Sequence, residues 1–166
     1  MKPQVLIVMG SDSDLPVMKA AEDILKQLRI PYTMTIASAH RTPERTMNLA
    51  SEAEGKGIDV IIAGAGMAAH LAGVLASHTI VPVIGVPIDA SPLGGLDSLL
   101  STVQMPSGVP VAAMAVGKAG AKNAAIFSAQ IIGRKDIKVA KRLKDFKKKL
   151  AEEVDRKSEA LEREKE

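Results

Sequence analysis

Short continuous apolar runs alternate along the chain with longer stretches whose apolar residues recur at helical intervals. The run VLIVMG is apolar without a break and ends in glycine, as expected for a strand covered on both faces. In SDSDLPVMKAAEDILKQLRI the apolar positions Val17, Ala21, Ile24, Leu25 and Leu28 follow helical spacing. PYTMTIA, residues 31–37, predicts a second strand, and a helix from Pro43 is stopped by Gly55 and Gly57. IDVIIAGAG predicts a third strand and MAAHLAGVLASHT a short helix after it. VPVIGVPI and VPVAAMAV complete five strands, separated by PLGGLDSLLSTVQMPSG, a loop with one helical segment. GKAGAKNAAIFSAQII predicts a small-residue helix, and a charged helix follows. Strict alternation of this kind specifies an α/β domain with a mostly parallel sheet covered by helices on both faces. Ligands in such sheets bind at the carboxyl ends of the strands.

Composition narrows the picture. A chain of 166 residues can bury a sizeable core as one domain. The absence of cysteine excludes disulfides, thiolate metal sites and cysteine nucleophiles. The six-residue apolar run near the N-terminus is too short for a signal segment or a membrane span, so no membrane partner and a cytoplasmic location are expected. The net charge is +3, and the basic residues gather in a mixed-sign segment after residue 133, which reads as an amphipathic helix. With no tryptophan, one tyrosine and two phenylalanines, the platforms of single-strand binders are missing, and no nucleic-acid partner is expected.

Three polar clusters fall at predicted strand ends. In Gly10-Ser11-Asp12-Ser13-Asp14, Ser11 and Asp14 fit a capping box; the same serines and carboxylates also suit a phosphosugar. In Ser38-Ala39-His40-Arg41-Thr42-Pro43, helix-start chemistry accounts for Thr42, Pro43 and Glu44 but not for Ser38, His40 or Arg41. His40 is a candidate general acid and base, and Arg41 a candidate phosphate ligand. The third, Ala63-Gly64-Ala65-Gly66 running on to His70, formally matches a dinucleotide fingerprint with Asp89 as its acidic residue. Its glycines mark a close backbone approach, either to a ligand or to a neighbouring helix. His70 could cap a helix, pair across an interface or touch ligand.

Taken together, GSDSD, SAHRTP, AGAGMAAHLAG, GVPI, LDSLLSTVQMPSGVPVAAMAVGKAGAKNAA and AAIFSAQII resemble the PurE family of purine biosynthesis, in order from about residue 4 to residue 133. The resemblance implies a three-layer αβα sandwich with a mostly parallel, flavodoxin- or Rossmann-like sheet. Residues 1–135 would form the catalytic domain and 136–166 a charged helix packing on it or on a neighbouring subunit. It also implies a homo-octamer with active sites at subunit junctions, no metal and no organic cofactor. The implied activity is conversion of N5-carboxyaminoimidazole ribonucleotide to the C4-carboxylated isomer; direct carboxylation of aminoimidazole ribonucleotide by CO2 is the alternative. Functional coupling to the synthetase that makes the N5-carboxylated nucleotide is a further expectation. By resemblance, His40 is the acid/base. Ser11, Ser13, Asp14, Ser38 and Arg41 bind the nucleotide. Ala63, Gly64, Ala65, Gly66, His70 and Leu71 lie against the imidazole and the migrating carboxylate, the small residues leaving room for CO2. The chain departs from the mutase branch at Met67 and Ala72, where glycine and proline are usual.

Overall fold

In a computed structural model, residue 2 and residues 4–163 are described. Strands β1 (Val5–Met9), β2 (Tyr32–Ile36), β3 (Val60–Gly66), β4 (Val83–Ile88) and β5 (Ala112–Ala113) form one parallel sheet in the order β2-β1-β3-β4-β5. The helices are α1 (Leu15–Gln27), α2 (Pro43–Ser51), α3 (Leu71–Ala76), α4 (Leu96–Val103), α5 (Lys118–Gly133) and α6 (Ile137–Arg163). This strand order is the flavodoxin-like one, with its switch point between β1 and β3.

The continuous apolar runs are explained by two cores, one on each face of the sheet. Val5, Ile7, Met9, Ile62 and Ile84 point into the core covered by α1 and α5. Their strand neighbours Leu6, Val8, Ile61 and Val83 point the other way, against Ala50 of α2 and Leu71 and Leu75 of α3. A strand buried on both faces has no polar side to show, so it cannot alternate.

Two predicted elements are shorter than expected. β5 is two residues long because it is the edge strand, paired only with β4, and Pro110 lacks an N–H for the ladder. α3 begins at Leu71, since residues 67–70 form a tight turn instead. The expected helical segment between the fourth and fifth strands is α4, anchored by the Ser98 hydroxyl, which donates to the carbonyls of Ile88 and Gly95, each at 2.9 Å. Of the charged helix, Val139 and Leu143 are buried against the domain, and Arg142 Nε donates to the Leu28 carbonyl at 2.6 Å. From Lys147 to Arg163 it is exposed throughout, carrying i,i+4 ion pairs such as Lys157–Glu153 at 3.0 Å. Residues 164–166 of the expected helix lie outside the described residues. Among the described residues, no helix is long and apolar enough to cross a membrane.

Gly64 shows how tightly the layers meet. A Cβ there would collide with Met18 Sδ of α1, and one at Gly66 would collide with Ala90 Cβ. Gly64→Ala is therefore expected to destabilise the fold by about 1–3 kcal/mol, as overpacking does. The cost should shrink in a Met18→Ala background, a non-additivity that urea denaturation of the double-mutant cycle measures.

Candidate functional site

The site is assembled from the loops that leave β1, β2 and β3. After Gly10, Ser11 adopts an extended backbone and caps a 3-10 turn over Asp12–Asp14 that runs straight into α1. The Ser11 hydroxyl accepts from the Ser13 amide at 3.4 Å, and Asp14 Oδ2 accepts from the Ser11 amide at 3.1 Å. The expected capping box is thus present, and it buries Asp14 to 5% exposure. Burial pushes the Asp14 carboxyl above the usual carboxylate range, against the opposing pull of the Ser11 and Gly10 amides. Asp12, fully exposed, is held below that range by the Ser11 hydroxyl first and then by backbone amides, with Arg41 adding its charge.

The loop after β2 is closed by Ser38 and Thr42. The Thr42 amide donates to the Ser38 carbonyl at 2.8 Å, and the Thr42 hydroxyl donates to the same oxygen at 3.1 Å. In return the Ser38 amide donates to Thr42 Oγ1 at 2.9 Å, and the Arg41 amide to Ser38 Oγ at 3.2 Å. Thr42 does occupy the N-cap position of α2, with Pro43 at the first turn, but its side chain makes no cap hydrogen bond. Its hydroxyl is spent on the loop. Arg41 Nη2 reaches the Gly10 carbonyl at 3.4 Å, joining the first two clusters.

The third cluster meets the second through its histidine. His40 Nε2 and His70 Nδ1 are 2.8 Å apart, with the rings edge-on at 78° and centroids 5.0 Å apart. One ring must donate and the other accept, so the tautomers of the two rings are linked. A proton on both facing nitrogens would break the contact.

These residues surround a cleft of about 460 Å³. Of the expected site residues, Ser11, Ser13, Asp14, Ser38, His40 and Arg41 line it from the β1 and β2 ends. Ala65, Gly66, His70 and Leu71 line it from the β3 end. Ala63 and Gly64 do not: both are buried inside β3. The space beside Gly64 is filled by Met18 and that beside Gly66 by Ala90, so close packing accounts for both glycines, of which Gly66 also faces the cleft. The same filling argues against the dinucleotide fingerprint, and no helix opens directly after the motif. Ala39, Met67, Ala68 and Ala90 also line the cleft without having been singled out as ligand contacts. For Ala90 the readable signal was its place at the carboxyl end of β4. Among the described residues, no three His, Asp or Glu side chains converge as metal ligands would.

The fold and cleft define a flavodoxin-like α/β protein with a polar-edged cleft at the topological switch point, where ligands bind in such sheets. Residues 4–153 match the family model described as AIR carboxylase. The chain is 55% identical over 161 residues to the N5-carboxyaminoimidazole ribonucleotide mutase of Pyrococcus horikoshii, covering 97% of this chain and 90% of that protein. It is 56% identical over 160 residues to the Thermotoga maritima protein of the same name, covering 96% and 92%. The crystal structure of Treponema denticola PurE superposes with a TM-score of 0.85 at 28% identity, covering 96% of this chain and 98% of that one. The chain belongs to the AIR carboxylase family.

The buried carboxyl of Asp14 has a pH signature. Because its folded pKa is raised, its contribution to stability is complete below the ordinary value of 3.8 and is lost as pH rises through the raised value. Asp14→Asn, which keeps an acceptor but cannot ionise, should remove this slope. The stability of the parent relative to the variant is expected to fall from pH 3 towards neutrality, read by urea denaturation at each pH.

Proposed function

We infer that this protein is an isomerase of purine biosynthesis that converts N5-carboxyaminoimidazole ribonucleotide to 4-carboxy-5-aminoimidazole ribonucleotide. The observation that carries the reading is the 2.8 Å His40–His70 contact at the junction of a polar and an apolar half of one cleft. It occurs in a chain more than half identical to relatives named for this reaction over nearly their whole length. Those names also favour the mutase over direct carboxylation.

The chemistry needs one proton carrier. When the N5–carboxyl bond breaks, its electron pair stays on nitrogen, which takes a proton, and CO2 is released. C4 then gives an electron pair to the CO2 carbon and afterwards loses its own proton. His40 gives the first proton and accepts the second, roles that imidazole can fill near neutral pH. His70 lies against the reacting ring and, through its hydrogen bond, sets which nitrogen of His40 carries the proton. Ser11, Ser13, Ser38 and Arg41 bind the phosphate, for which the guanidinium is a charge-assisted donor, and Asp14 accepts from a ribose hydroxyl. Ala65, Gly66 and Leu71 flank the imidazole, with Ala63 and Gly64 shaping the strand behind them. The isomerisation is redox-neutral, and no cofactor is proposed for it.

The same reading includes a cytoplasmic homo-octamer supplied by the synthetase that makes the N5-carboxylated nucleotide. Self-association is supported by an exposed apolar face on α4, where Leu96, Leu100 and Val103 stand a helical turn apart, with Leu93 just before them.

A two-substrate assay tests the function. Purified N5-carboxylated nucleotide should be converted, whereas conversion only of aminoimidazole ribonucleotide with bicarbonate would sink the mutase reading. His40→Asn is expected to lower kcat by about 10²–10⁴ while calorimetric affinity for the nucleotide stays within a few-fold of the parent. Arg41→Ala should instead raise KM by roughly 10–100-fold, the loss of a charge-assisted hydrogen bond.

A further inference from the structure

To present His70 to His40, the chain must turn sharply as it leaves β3. The turn passes through Met67 at φ +54°, with the Ala69 amide donating to the Met67 carbonyl at 2.9 Å and the His70 amide to that of Ala68 at 2.8 Å. Left-handed backbone is unfavourable for a residue with a Cβ and open to glycine without that penalty. Backbone geometry alone therefore favours glycine at this position. Packing does not compensate, because Met67 is 59% exposed and belongs to neither hydrophobic core. A strained residue whose side chain joins neither core points to a use in the cleft it lines.

The cleft itself says what that use is. The β1 and β2 ends line it with hydroxyls, a carboxyl and a guanidinium, whereas Ala65, Ala68, Leu71 and Ala90 line the β3 and β4 end. The two histidines touch where these halves meet. Met67 is the longest and most flexible side chain of the apolar half. Building on the carboxyl-transfer reading above, we propose that Met67 is a positioning residue that covers this half when nucleotide is bound. Its thioether chain packs on the imidazole face and closes the space where CO2 waits between leaving N5 and joining C4. CO2 carries no charge and no donor, so enclosure by apolar groups is what holds it there. With the cover removed, CO2 escapes into water. The nitrogen keeps the bond's electron pair and takes a proton from His40, which water then reprotonates, and the nucleotide ends as aminoimidazole ribonucleotide.

The test uses the full chain with Met67→Gly and Met67→Leu. Substrate labelled with 13C in the carboxyl group is turned over in unlabelled bicarbonate, and enzyme-free decomposition is subtracted. Met67→Gly is expected to raise the combined yield of aminoimidazole ribonucleotide and unlabelled product roughly tenfold over the parent, with Met67→Leu within about twofold of it. Since glycine relieves the backbone, the Gly variant should melt no lower than the parent, which separates leakage from unfolding. Equal label retention in Met67→Gly and parent overturns the proposal. A leak that coincides with a smaller assembly on size-exclusion chromatography also overturns it, assigning Met67 to a contact between copies. If the parent fails to convert the N5-carboxylated substrate at all, the carboxyl-transfer reading falls and the role of Met67 with it.

Discussion

Burial of β1 between β2 and β3 is the constraint from which the site follows. Its five residues are all buried, so the strand cannot shift register without moving a whole side-chain set into the wrong core. That register pairs Met9 with Ile36 on one side and with Gly64 on the other. The ladder then continues one step past the strands, with the Gly10 amide donating to Gly64 at 3.2 Å and the Ala37 amide to Met9 at 2.9 Å. Three loops consequently leave the sheet at nearly the same level. Their polar residues, distant in sequence, have nowhere to go but towards one another.

What each loop does with its polar groups is a matter of backbone accounting. Ser11 and Asp14 satisfy each other's neighbourhood in the capping box, and Ser38 and Thr42 exchange three hydrogen bonds across their turn. Those groups are held by the protein itself. Arg41 is different: among the described residues its guanidinium makes one hydrogen bond, a long one of 3.4 Å to the Gly10 carbonyl, which leaves most of its donors open. The contrast separates polar groups already engaged in building the loops from a guanidinium whose donors are largely free, a distinction that residue type alone does not make.

Much of this was legible in the sequence. The two-sided core wrote itself as unbroken apolar runs, and that was enough for the parallel sheet. His40 and Arg41 stood out because helix-start chemistry had no use for them. The features that were not legible depend on contacts far apart in the chain or on backbone geometry. Gly64 is glycine because Met18 of α1 occupies its Cβ position, a contact the local pattern does not encode. β5 is short because nothing pairs with its outer edge, and α3 starts late because Met67 takes a left-handed backbone. The Thr42 hydroxyl looked like a cap, yet the nearby Ser38 backbone competed for it more successfully.

The histidine contact adds a last link between strain and chemistry. His70 reaches His40 only because the chain turns within three residues of the end of β3, and that turn is what places Met67 in its unfavourable conformation. Strain and the histidine contact are therefore one arrangement, since the turn that carries Met67 is the one that brings His70 to His40. The tightly packed sheet supplies the rigidity against which such a turn can be held. A Cβ at Gly66 would meet Ala90 and the Ile88 carbonyl, so the strand is closely packed one residue before Met67. In this way close packing reaches to within one residue of the turn that brings the two histidines together at the cleft.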